Sequence, residues 1–367
     1  MMTVKWNPYL AAMVAIAAVA TGSAAPGFAD ISSTNPAAIV VYPKLVANAG
    51  DSIDTILQLT NVSSQPANVR CFYVNANGHC SNAPTVICDP NREVGSPANT
   101  CPTAGVCIPG WIETDFRFRL TPNQPISWRL SEGLSEFPLS SQSGPGGHFN
   151  IQSSIPPASE DPFLGELKCI LVGDDELPID SNWLEGMATI ISAGAVLDVA
   201  GYNAIGIQAV PGANNRDNVL VLGSEYNGCP NILSLDHFFD GAPDPVSGAS
   251  VNTDVTFVPC TQDFNLQLPK SVTVQFLVFN EFEQRFSASR TIDCLTNIAL
   301  SDIDTRIGSF GDQQSIFNVS VQGTLTGKTL ARGVNDDSTN APGGEALLMI
   351  AQPVSYTHLT LPTNREV

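Results

Sequence analysis

The sequence contains no G-x-S-x-G turn, no H-E-x-x-H pair and no G-x-x-x-x-G-K-[ST] loop. Those absences remove the nucleophile elbow of α/β-hydrolases, the helical zinc-protease site and the Walker-type phosphate cradle. Histidine is scarce, at four in 367 residues: His79, His148, His237 and His358. Basic residues are few as well, 16 Lys and Arg against 35 Asp and Glu, for a net charge of −19. Phosphate backbones and anionic lipids need clustered cations, so a nucleic-acid partner is excluded. The nine cysteines form no C-x₂₋₄-C pair, the usual spacing of structural zinc. No stretch holds apolar residues at i, i+3, i+4 and i+7 over three turns, so long amphipathic helices are not expected.

What is present points to export. Lys5 is the only charge before Asp30, and the apolar run Tyr9 to Ala20 follows it. Small residues then lead to Ala29, the pattern of a secretory signal peptide over residues 1–29. The run is shorter than the roughly 20 residues a membrane span needs, so no integral span is expected in the mature chain. The other end, residues 354–367, opens with VSYTHLTLPT, which resembles the translation of a transposase-type sequencing adapter. Residues 354–367 therefore read as an artefactual tail, and His358 within them carries no functional weight.

The remaining residues suggest two domains, given a soft prior of about 100–200 residues each. The expected units are 30–212, with a Cys-rich loop at 80–110, and 213–353, which the tail leaves truncated. An exported chain is expected to pair its cysteines. Cys71, Cys80, Cys88, Cys101, Cys107 and Cys169 form an even set in the first unit, open to 15 connectivities. Cys229, Cys260 and Cys294 leave one odd in the second. Its partner belongs either to a lost segment or to no segment, as a free or intermolecular thiol.

Short strand candidates fill both units, punctuated by 29 Gly and 27 Pro. Ala38–Tyr42, Asp54–Thr60 and Asn68–Ala76 come first, the last running into a tight-turn signal at Asn77-Gly78. Phe116, Phe118 and Leu120 alternate with charges, and Ile126, Trp128 and Leu130 alternate after a Pro-flanked break, which predicts a hairpin. Further candidates are Glu166–Val172, Gly186–Ser192, Asn203–Val210, Ile232–Leu235, Asp254–Val258, Val272–Phe279, Ser315–Val321 and Ala346–Ile350. The class is all-β, two antiparallel sandwiches with long disulfide-stapled loops.

The opening AIVVYPKLVANAGDSIDTILQLTNVSSQPANVRCFYV resembles the first three strands of an immunoglobulin-like bacterial domain. NVRCFYVNA, DHFFDGA and QFLVFNEFEQRFS resemble segments of uncharacterised exported proteins of environmental bacteria. The likeness implies export and an immunoglobulin-like sandwich, and no chemistry. Fimbrial-assembly chaperones share such an opening but carry a basic cleft, for which the matching strand here offers little beyond Arg70.

Candidate sites are few. Asp236 and Asp240, at alternate positions in Leu235–Gly241, would serve as oxygen ligands for calcium, against a plainer reading as a strand end with an Asp240-Gly241 turn. Asp174 and Asp175 form a second acidic loop that fails the EF-hand spacing. Glu160 and Asp161 are adjacent and cannot flank one glycosidic bond as a carboxylate pair does. Gly144–His148 resembles an oxyanion loop without its elbow. Trp128 reads as core, whereas Trp111, after Pro109-Gly110, is the exposed candidate for binding a ligand. The expectation is a non-catalytic structural or binding protein, periplasmic or at the cell surface, needing no cofactor and meeting a protein or carbohydrate. A secreted carbohydrate-binding or hydrolytic module, and an accessory protein of surface assembly, stand as alternatives.

Overall fold

The computed structural model describes residues 31–90, 99–134, 154–194, 198–230, 232–244, 248–260, 271–304, 306–307, 313–334 and 347–355. The signal segment, the Gly144–His148 loop and tail residues 356–367 lie outside them. The first domain is built from β1 (Ile39–Ala47), β2 (Ile53–Asn61), β3 (Ala67–Asn75), β4 (Gly78–Cys80), β5 (Ala83–Cys88) and β6 (Cys107–Ile108). β7 (Ile112–Leu120), β8 (Pro125–Arg129), β9 (Phe163–Val172), β10 (Leu184–Ser192), β11 (Asp198–Asn203) and β12 (Ile205–Ile207) complete it. A five-stranded sheet, β12-β1-β9-β3-β7, packs on a four-stranded one, β11-β10-β2-β8. Their inward residues, among them Leu57, Leu59, Tyr73, Phe118, Trp128 and Leu167, form one core.

The expected hairpin between the Phe116 and Trp128 strands does not form. β7 pairs with β3 and β8 with β2, so the turn after Leu120 crosses from one sheet to the other. Both apolar faces then meet across the core, with Phe118 edge-on to Trp128 at 6.4 Å between ring centroids. The Trp128 indole N–H also donates to the Tyr73 hydroxyl on the opposite sheet, at 2.6 Å. Alternation signals a buried face equally well for a hairpin and for strands facing each other. Asn77-Gly78 is likewise no hairpin turn. The chain runs on into β4, and Gly110 passes so close that a Cβ there would lie 1.8 Å from the Asn77 carbonyl oxygen.

The second domain contains β13 (Ile232–Phe238), β14 (Ala242–Pro243), β15 (Ser250–Pro259), β16 (Ser271–Asn280) and β17 (Arg285–Asp293). It continues with β18 (Thr296–Ala299), β19 (Arg306–Ile307), β20 (Gln313–Gln314), β21 (Thr326–Val334) and β22 (Leu347–Ser355). One sheet runs β13-β21-β16-β17; the other places β14 and β18 on one side of β15 and β22 on the other. Phe257, Phe276 and Phe317 anchor the core between them. The strand expected at Ser315–Val321 is instead a turn leading into α1 (Val319–Gln322), which ends at Gly323 with φ 67°. That left-handed position suits glycine and stops the helix after one turn.

A third apolar cluster joins the two sandwiches. Ile39, Val41, Phe72 and Ile170 on the outer face of the five-stranded sheet meet Val258, Leu295 and Leu348 of the second domain. Four disulfides form: Cys71–Cys169, Cys80–Cys101, Cys88–Cys107 and Cys229–Cys260. Cys294 is the odd thiol; it is free and buried, and burial pushes it up to about 12.

Candidate functional site

The segment Asn75–Cys80 builds the densest polar node. Asn75, Asn77 and His79 are spaced two apart and all converge on Glu160, which returns from the far side of the excursion. Asn75 and Asn77 donate their side-chain amides to Glu160 Oε1 at 2.5 and 2.6 Å. His79 Nε2 lies 3.0 Å from Oε2, and Asn77 also donates to the Pro162 carbonyl at 2.7 Å. Burial works to raise the Glu160 pKa, but the Asn75, Asn77 and His79 contacts outweigh it and hold the carboxyl below its usual value. Both carboxylate oxygens are thus engaged by the protein's own side chains, which clamp Glu160 to the Asn75–His79 segment. Setting Glu160 beside Asp161 in the sequence hid this partner, because the relation spans 81 residues.

The clamp fastens the base of a small sheet, ordered β5-β4-β6, which Cys80–Cys101 and Cys88–Cys107 staple. His79 pairs with Ile87 on one side and Ile108 on the other. On this frame Val106, Ile108 and Val86 are 64%, 51% and 36% exposed, and Ile112 at the start of β7 is 48% exposed. Trp111, expected to be exposed, is half-buried, and its indole N–H is buried without an acceptor among the described residues. The aliphatic residues beside it carry the exposed apolar surface instead. Their type gave no signal, since isolated Val and Ile read as strand.

A second feature lies at the other end of β7. Asn68, Arg70, Arg117 and Arg119 line a cleft of about 240 Å³ with Asp174 and Glu176 of the β9–β10 turn. Asp174 accepts from Asn68 at 2.8 Å and lies 3.6 Å from Arg119; Arg117 pairs with Glu176. Asp175 takes Arg216 at 2.6 Å, a bond that holds its carboxyl below the usual range. Asp174 and Asp175, the acidic loop expected to offer calcium ligands, thus face guanidinium groups. The Arg117–Glu176 and Arg216–Asp175 pairs are exposed, where solvent screens the attraction and little stability comes from it.

Asp236 and Asp240 do not share a face either. β13 ends at Phe238, so the alternation breaks before Asp240. Asp236 is exposed, whereas Asp240 is buried and accepts backbone N–H groups of Thr253 and Ser301 at 2.8 and 2.9 Å. Its role is to knit the second core. Among the described residues, the only group of three or more donor atoms close enough for a metal is Cys80, Cys88 and Cys101, whose sulfurs are in disulfides.

His237 is buried between the rings of Phe239 and Phe317, with Nε2 2.8 Å from the Thr329 hydroxyl. Burial pushes it down to about 4, partly opposed by the Phe238 carbonyl at Nδ1. Below an unfolded value of about 6.5 the unfolded chain binds a proton that the native chain refuses, so stability falls as pH drops from 6.5 to 4. This group's contribution is on the order of 3 kcal/mol across that window. Urea midpoints at pH 7, 5.5 and 4 should show the wild type losing stability more steeply than His237→Gln.

No family model matches the chain, and no curated protein matches it in sequence. Among the described residues no helix is long and apolar enough to cross a membrane.

Proposed function

We propose that the protein is an exported, non-catalytic binding or structural component whose contact surface is the stapled excursion of the first domain. The observation that carries this reading is the rigid display of exposed Val106 and Ile108 on a frame held by two disulfides and the Glu160 clamp. Exposed apolar groups in a patch mark interaction surfaces. Rigid presentation lowers the ordering cost of binding. Four disulfides support export to an oxidising compartment. The strongly acidic surface argues against nucleic acid.

A second reading, accessory to surface assembly, draws on β7. This nine-residue strand pairs with β3, and no strand covers its other edge among the described residues. An open edge of that length can accept a partner strand.

The test is retention of the purified protein on the envelope fraction of the producing cell and on insoluble polysaccharide. Val106→Asp with Ile108→Asp should weaken retention at least tenfold while circular dichroism stays unchanged. Equal retention of the double variant removes the excursion as the contact surface.

A further inference from the structure

β1 carries a bulge. Tyr42 pairs with Leu167 and Leu45 with Gly165, so Pro43 and Lys44 together face the single residue Glu166. Bulges re-aim side chains and break the ladder locally. The Tyr202 hydroxyl repairs the break, accepting from the Lys44 N–H at 3.3 Å and donating to the Lys44 carbonyl. Held this way, Lys44 is 6% exposed and reaches into the second domain, where Nζ lies 3.1 Å from Oε1 of Gln352 on β22. Gln352 stands directly opposite Asp254 in the β15–β22 register, so their side chains share a face.

We infer that Lys44 and Gln352 form an intramolecular isopeptide bond that covalently joins the two sandwiches, with Asp254 as the proton relay. The Nζ lone pair attacks Cδ of Gln352, the Nζ–Cδ bond forms and the Cδ–Nε2 bond breaks. One proton leaves Nζ through the Asp254 carboxylate and arrives on Nε2, which departs as ammonia. No oxidant or further reactant enters. Three conditions for such a transfer meet here. The amine must be available uncharged, and burial lowers the Lys44 pKa, with Asp254 opposing it. The partners must be held in contact, and fixed proximity can replace a very high external concentration of amine. A carboxylate must stand beside the reacting pair, and Asp254 lies directly opposite Gln352 in the β15–β22 register.

The bond would span 308 residues of chain and fasten an interface that is otherwise non-covalent at this point. It goes beyond the binding reading and stands whether or not the excursion binds a partner. The test is tandem mass spectrometry of the full chain, purified folded, incubated, then denatured, reduced and digested. A Lys44 peptide linked to a Gln352 peptide, one ammonia lighter than their sum, is expected. Asp254→Asn should lower the linked fraction at least tenfold with the fold retained by circular dichroism. Recovery of the two peptides unlinked from the folded wild type overturns the inference. An undiminished linked fraction in Asp254→Asn overturns the relay role.

Discussion

Replacing Lys168 by Met is expected to cost about 3–5 kcal/mol of stability at neutral pH, the usual penalty for leaving a buried charge without its partner. Lys168 and Glu166 sit two apart on β9, on the face covered by the second domain. Their side chains are 5% and 0% exposed and meet at 2.8 Å. Burial pushes the Lys168 pKa down, and Glu166 is the main group that opposes it, by charge and by hydrogen bond. Without the ammonium, Glu166 must be buried as the neutral acid. Its folded pKa then rises above the unfolded value of about 4.3. A group raised in the folded state contributes stability that is lost as pH rises, so the Lys168→Met deficit should shrink from pH 8 toward pH 4.5. Adding Glu166→Gln removes the buried carboxylate charge and should restore more than half of the loss. Urea midpoints of the two variants at both pH values check this. A deficit that does not change with pH would mean that packing, not charge, sets the cost.

How much of this was legible depends on what each signal measures. Period-2 alternation located β7 and β8 because one face of each is buried. It could not say which sheet each joined, and the hairpin expectation failed there. β17 (RFSASRTID) and β21 (TGKTLARGV) went unread because small and polar residues blur the alternation. Arg290 even points inward, donating to the Asp302 carbonyl. An inward charge near a sheet edge discourages unwanted pairing, and it erases the hydrophobic pattern at the same stroke. The candidate site was less legible still. Glu160 meets Asn75, Asn77 and His79 only after the chain has folded back on itself. Lys44 meets Gln352 only after the two sandwiches dock. Contacts of such separation leave no local mark on composition or spacing. Cysteines were the exception, since parity alone signalled one odd thiol in the second domain.

The second large effect is expected at Cys71–Cys169. These residues are direct neighbours in the β3–β9 register, both fully buried, and the bridge closes a loop of 98 residues. It therefore joins adjacent strands of one sheet, where hydrogen bonds already set the geometry of the native state. Its stabilisation must come mostly from the unfolded chain, whose freedom a loop of about 100 residues reduces by about 4.7 kcal/mol. Cys71→Ala with Cys169→Ala should accordingly lower the guanidinium midpoint of the first domain by that order, plus a packing term for the vacated core. Cys80–Cys101 and Cys88–Cys107 close loops of 21 and 19 residues, each worth about 3 kcal/mol in the same treatment. Those two hold a small sheet outside the main core, so their loss should appear as local opening. Limited proteolysis within 81–110 should accelerate at least tenfold while the global midpoint moves less than in the Cys71 variant. If Cys80→Ala with Cys101→Ala shifts the global midpoint as far as the Cys71 variant does, the excursion is part of the cooperative core. Its exposed Val106 and Ile108 would then be supported by the whole sandwich and not by the staples alone.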